Sequence, residues 1–222
     1  MTGYALAEAT SYDFESAVEE FSEITIDTTS VDFTDPTAAF SSIQLGYHND
    51  GFDFGVGYAK SLTDNWAGLV FAQGQDSFDA YRVRAAALST SYGTGVMGDY
   101  MYDSELGTHT IVMNALQVIP LNEQLLIAPV IGAGVMSSQY LESDVPIAMA
   151  QLYSVVKVTN DFSIMVTPIY TRSLNNKTIK MRTLDWETNL SYRIKSNQNI
   201  SMNYGIYNET DNSLGLYYTY AF

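Results

Sequence analysis

The chain of 222 residues contains no cysteine. Disulfides, thiol nucleophiles and cysteine-ligated zinc or iron–sulfur centres are thereby excluded. Positive charge is scarce: 10 Lys and Arg stand against 25 Asp and Glu, a formal net charge of −15. A field of that sign repels nucleic acid, so no nucleic-acid partner is expected. Long apolar runs are missing too. The best, LLIAPVIGAGVM at 125–136, contains Pro129, Gly132 and Gly134, and it falls short of the roughly 20 residues a helix needs to cross hydrocarbon. If this chain spans a bilayer, it does so as a closed barrel, the other structure that satisfies every backbone polar group.

The missing positive charge is concentrated at one end. Residues 1–40 hold Glu8, Asp13, Glu15, Glu19, Glu20, Glu23, Asp27, Asp32 and Asp35 and not one Lys or Arg. This segment lacks the alternation found later. Phe14, Ala17, Val18 and Phe21 fall on one stripe of a short amphipathic helix over 12–21. The stretch from Glu23 to Phe33 reads as extended chain, and Asp35-Pro36 marks a break. The stripe suggests a docking surface, while the charge taken alone favours disorder. Ala5-Leu6-Ala7 before Glu8 fits either the tail of a signal-peptide cleavage site or a chance match.

Tyrosine and alternation are what the chain has in abundance. Aromatics make up 13%, with 17 Tyr against 2 Trp. An apolar ring with a polar tip suits a membrane–water boundary, and equally an ordinary β-sheet. Mean hydropathy is −0.04, unremarkable for a soluble protein and also for a wall that alternates lipid-facing with lumen-facing residues. From residue 41 onward strands succeed one another, separated by turn clusters. Ile43, Leu45 and Tyr47 oppose Ser42, Gln44, Gly46 and His48. After Asn49-Asp50-Gly51, Phe52, Phe54, Val56 and Tyr58 oppose Asp53, Gly55, Gly57 and Ala59, and an Asx-Gly pair between alternating runs marks a hairpin. Leu184, Trp186, Leu190, Tyr192 and Ile194 oppose Asp185, Glu187, Asn189, Ser191 and Arg193. Ile200, Met202, Tyr204 and Ile206 oppose Ser201, Asn203, Gly205 and Tyr207. The pattern predicts about twelve strands, at 42–48, 52–61, 66–75, 80–92, 96–104, 109–119, 125–137, 146–158, 162–172, 178–194, 199–208 and 212–222. Pro129 and Pro168 fall inside two of them, where a missing ladder donor implies a bulge, a misread register or a wall packed on something.

The last strand carries the one motif. In it Leu214, Leu216, Tyr218, Tyr220 and Phe222 share a face opposite Gly215, Tyr217, Thr219 and Ala221. The terminal LYYTYAF resembles the closing strand of bacterial outer-membrane β-barrel proteins of the porin-like class. That resemblance implies an all-β fold, a transmembrane antiparallel up-and-down barrel over 41–222. The acidic segment 1–40 would be a periplasmic or lumenal extension outside it. It also implies an outer-membrane location, contact with lipid and lipopolysaccharide, and Tyr218, Tyr220 and Phe222 as the signal read by the barrel-assembly machinery. Segment 1–40 would plug the lumen or dock a periplasmic protein. The function expected is a small channel for passive diffusion of small solutes, with a non-transporting, partner-binding barrel as the alternative.

On that frame Gln44, Asp53, Arg82, Arg84, Asp185, Glu187, Asn189, Arg193, Asn203 and Tyr217 are candidates to line the lumen. Asp185 and Glu187 share a face two positions apart, a spacing open to acid–base chemistry, to cation binding, or to neutralisation by Arg193 or by Arg82 and Arg84 across the barrel. Arg82, Arg84, Lys180 and Arg182 are expected near the outer rim. There they face solvent and lipopolysaccharide, point inward as a charge-selective eyelet, or grip the acidic N-terminal segment. His48 is followed by Asn-Asp and His109 by Thr-Ile, so neither matches the H-x-S pattern of outer-membrane lipid hydrolases, and the Asp/His arrangement of barrel proteases is missing as well. Asp76-Ser77 is too short a match to assign an acyltransferase. No catalytic constellation, metal ligand set, phosphate loop or cofactor is legible.

Overall fold

The computed structural model describes residues 31, 33, 39–89, 91–175, 179–207 and 211–222. The proposed helix 12–21 and the Ala5–Ala7 segment lie outside them. Thirteen strands form one antiparallel sheet: β1 (Ser42–His48), β2 (Gly51–Thr63), β3 (Trp66–Gln75), β4 (Ala80–Ser89), β5 (Thr94–Asp103), β6 (Thr108–Gln117), β7 (Ile119–Pro120), β8 (Leu125–Ser138), β9 (Val145–Lys157), β10 (Phe162–Ser173), β11 (Arg182–Lys195), β12 (Gln198–Tyr207) and β13 (Asp211–Ala221). Each strand pairs with its sequence neighbours, except that β6 and β7 both pair with β8, and β1 pairs with β13 from Ser42↔Ala221 to His48↔Gly215, so the sheet closes on itself. The β6–β8 ladder runs from Thr108↔Ser138 to Leu116↔Val130 and resumes in the same register at Ile119↔Ile127. The two-residue β7 is therefore the end of β6, and the wall counts twelve strands.

The two prolines explain the interruptions. Pro129 would sit opposite Gln117, at the gap between β6 and β7, while its pairing with Leu152 of β9 is intact. Pro168 pairs with Trp186 of β11, but the β9–β10 ladder skips from Val166↔Ser154 to Ile169↔Gln151. Each ring leaves one side of the ladder without a donor and keeps the other. The N–H of Val118, released at the first gap, donates to the Gly93 carbonyl at 2.7 Å.

Register and burial divide each strand into two faces. Outward positions are apolar and exposed along the whole wall, among them Leu45, Val70, Val83, Ile111, Ile131, Leu184 and Leu216. A continuous apolar exterior of this kind is far beyond the patches a soluble monomer presents to water. Near one end the outer face carries a chain of rings in which Phe78, Tyr81, Tyr102, His109 and Tyr100 follow one another, the closest contact being 4.7 Å between the Tyr102 and His109 rings. Such a girdle matches the polar–apolar boundary of a bilayer.

The twelve strands leave two rims. The terminal rim holds the start of β1 and the end of β13; the far rim holds the 49–50 turn, a short turn at 76–78 and the loops after β5, β8 and β10. Phe33 and Phe40 meet edge to face, 5.2 Å apart, and Val31 N–H donates to the Ser196 carbonyl at 3.2 Å. Val31, Phe33 and Phe40 thus lie at the terminal mouth.

Candidate functional site

The inner face has a dry part and a wet part. Leu88, Met97, Leu116 and Val130 form one buried cluster, joined by Ala39 and Tyr153; Val112, Val145 and Ile147 form a second, joined by Met101, Met136 and Met149. Between them Asp99, 4% exposed, accepts from Arg84 Nε at 2.9 Å, from Arg82 Nε at 3.1 Å and from Asn114 Nδ2 at 3.3 Å. This carboxylate fixes both guanidiniums against the wall, leaving them about a quarter and a third exposed.

All ten residues singled out as lumen candidates share the inner parity, as the chain of pairs Asp53↔Gly46, Gly46↔Tyr217 and Gln73↔Arg82 illustrates. They do not form one constellation. Arg82 and Arg84 are gathered by Asp99. Glu187 accepts from Tyr207 Oη at 3.0 Å, and Asp185 accepts from Thr183 Oγ1 at 3.2 Å. Arg193 pairs with Asp161 at 3.0 Å at the terminal rim, away from the two carboxylates of β11. Asn189 donates to Asn203, and Gln44 donates to Thr219 at 3.4 Å. Arg182 lies on the outer face over the Tyr170 ring, 5.7 Å from its centroid.

Three hollows follow one another through the interior. A 680 Å³ cavity at the far mouth is lined by His48, Gln75, Asp76, Arg82, Glu187 and Tyr217 among others. A 220 Å³ cavity deeper in shares Gln44, Met165 and Asn189 with it, and these three side chains mark a waist. A 510 Å³ cavity at the terminal mouth shares Phe33, Ser191 and Asn199 with the second.

Sequence reasoning missed one cluster at the far rim. His48 closes β1 and Asp53 opens β2 across the 49–50 turn. Asp76 arrives from the next hairpin. His48 Nε2 lies 3.1 Å from Asp53 Oδ1 and 2.8 Å from Asp76 Oδ1, and Tyr217 Oη donates to Asp53 Oδ2 at 2.7 Å. Gly46 makes the space for Tyr217, because a Cβ there would strike its ring. Asp76, Ser77 and Phe78 all have positive φ (53°, 58° and 76°), each costing on the order of 1–3 kcal/mol in a non-glycine residue. Burial lifts the Asp76 carboxyl above the usual carboxylate value; His48 opposes this, and the neighbouring Asp53, Asp50 and Asp103 add to it. The approach of His48 and Asp53 was readable from the hairpin. The arrival of Asp76 was not, since it depends on a left-handed turn that no residue type announces.

No family model and no curated protein matches the chain. Solved structures do. The NanC porin aligns with a TM-score of 0.57 at 11% identity, covering 81% of this chain and 98% of that one. An outer membrane channel from Pseudomonas putida F1 gives 0.61 at 12%, covering 86% and 98%. The KdgM porin in complex with disordered oligogalacturonate gives 0.54 at 8%, covering 82% and 98%. At such identities the likeness is one of fold. The chain has the fold of bacterial outer-membrane β-barrels of the porin-like class.

Proposed function

We propose that the barrel is a small, non-enzymatic channel for passive diffusion of small polar solutes across the outer membrane. The observation that carries this reading is the succession of three hollows from rim to rim, each sharing lining residues with the next. The Arg82 guanidinium on β4 faces the far hollow from one side and the Glu187 carboxylate on β11 from another, a distribution of charge that orders polar solutes at that mouth. In this reading Tyr218, Tyr220 and Phe222 address the chain to the assembly machinery, and the outer face meets lipid and lipopolysaccharide.

A second reading is favoured by Phe33, Phe40 and Ala39, which occupy the terminal side of the interior. In it residues 1–40 plug the lumen or carry a periplasmic partner. Conductance in a planar bilayer tests both. Steady open steps from the full chain support the channel. Steps that appear only after deletion of 1–40 support a plugged channel. Silence of both chains, each verified as folded, refutes transport.

A further inference from the structure

We propose that His48, Asp53 and Asp76 form a binding site for one divalent transition-metal ion at the far mouth of the barrel. The donor atoms converge: one oxygen of each carboxylate and the imidazole nitrogen lie within 4.8 Å of one another. Donors about 2.1 Å from a common metal stand about 3.0 Å apart at right angles and about 3.4 Å apart in a tetrahedron. The observed separations of 3.1 and 2.8 Å from His48 Nε2 lie close to the right-angle spacing, and a small outward shift of Asp76 would seat one ion.

The surroundings suit such an ion. His48 is 7% exposed and Asp53 is fully buried, so two ligands are fixed by the wall, while Asp76 stands at the surface of the 680 Å³ cavity and leaves a path for entry. Tyr217 Oη donates to Asp53 Oδ2, while Oδ1 faces the histidine and also accepts the Asp76 N–H at 3.2 Å. The described ion pairs of Asp53 and Asp76 are both with His48, and Asp50 stands 3.6 Å from its other ring nitrogen. Three carboxylates around one imidazole leave excess negative charge that a dication neutralises. As placed, Asp50 N–H donates to Nδ1 at 3.2 Å, so Nε2 carries the proton shared by the two carboxylates. A metal at Nε2 would send that proton to Nδ1, where the bond from the Asp50 N–H gives way to one donated to the Asp50 carboxylate, now 3.6 Å off, in the carboxylate–histidine–metal relay that orients a ligand ring. One imidazole with two carboxylates fits zinc, cobalt or nickel better than calcium or magnesium, which take all-oxygen sets. The bound ion ties the turn at 76–78 to the β1–β2 hairpin. The site stands on these side chains and holds whether or not the interior conducts.

The untagged full chain, folded in detergent micelles and stripped with a chelator, is titrated with Zn²⁺ by calorimetry and with Co²⁺ by visible absorption. The result expected is one ion per chain, bound at least tenfold more weakly by Asp76→Asn and by His48→Gln, with Mg²⁺ and Ca²⁺ at least tenfold weaker than Zn²⁺. Tyr217→Phe, which removes an outer-shell partner, is expected to lower affinity about 10- to 100-fold. Heat-modifiable gel mobility verifies that each variant is folded. Should His48→Gln fail to fold, Asp76→Asn decides, because it is isosteric and sits on a half-buried turn outside the strands. Absence of Zn²⁺ binding by the folded chain overturns the proposal, as does an Asp76→Asn variant that binds as tightly as the unaltered chain.

Discussion

Replacing Val70 by Arg puts a charge on the apolar exterior of the wall, where the proposed membrane setting brings acyl chains. Val70 is the fifth of ten residues in β3, points outward and is 50% exposed. Four to five residues at about 3.3 Å each, on a strand tilted by about 40°, set it about 11 Å from either end of the span. An apolar band about 25 Å tall has its midplane at that depth. Val70→Arg is therefore expected to destabilise the folded barrel in phospholipid vesicles by about 2–4 kcal/mol. Leu62→Arg, on an exposed position at the terminal end of β2, is expected to cost only about 0–1 kcal/mol because the interface is wet. Asn203→Lys, on the inner face beside β11, lies in neither gradient. The assay is equilibrium urea titration of vesicle-inserted protein, followed by the fluorescence of Trp66 and Trp186. On a soluble β-domain all these exposed substitutions would stay within about 0.5 kcal/mol. A Val70→Arg variant no less stable than Leu62→Arg would refute the membrane-facing assignment of this wall.

Two further outcomes follow from the interior. Asp99→Asn leaves Arg82 and Arg84 without their shared counter-charge; both guanidiniums retain some water, so the cost is expected at about 2 kcal/mol rather than the roughly 3–5 of a sealed pair. The double variant Asp99→Asn, Arg84→Met should recover most of that loss in the same titration, and a double variant no better than the single would contradict the pairing. Gly46→Ala drives a methyl group into the Tyr217 ring and is expected to cost about 1–3 kcal/mol by overpacking; a neutral result would mean the ring swings freely.

Most of the wall was legible because a period of two survives wherever one face is lipid and the other is water. The predicted spans 42–48 and 66–75 coincide with β1 and β3, and the others differ at their ends by a few residues. The signal faded over 125–137 in β8 and 83–88 in β4, where Ala128, Val130 and Leu88 are apolar on the inner face too. There the interior is packed rather than wetted, and alternation loses its meaning. Asp99 was open to the same parity argument, since it alternates with Val96 and Tyr100 through Met97. Partnership was harder to read than direction. Arg193 was weighed as a partner for Asp185 and Glu187 because all three share one face of one strand, yet its long side chain reaches Asp161 across the terminal rim. Contacts between hairpins distant in sequence, such as Asp76 on His48, leave no trace in a local pattern.

The methionine-rich packing under β5 to β9 has a consequence for the cross-section. Neither of the two hollows inside the wall is lined by a described residue of β8 or β9. The bore is consequently eccentric, a crescent that follows β10–β13, β1, β3 and β4, with a keel of close-packed hydrocarbon filling the flank under β8 and β9. Truncations along the keel should register as lost cohesion, because they open voids in a solid. Exchanges along the crescent alter what the water column touches and leave the cylinder standing.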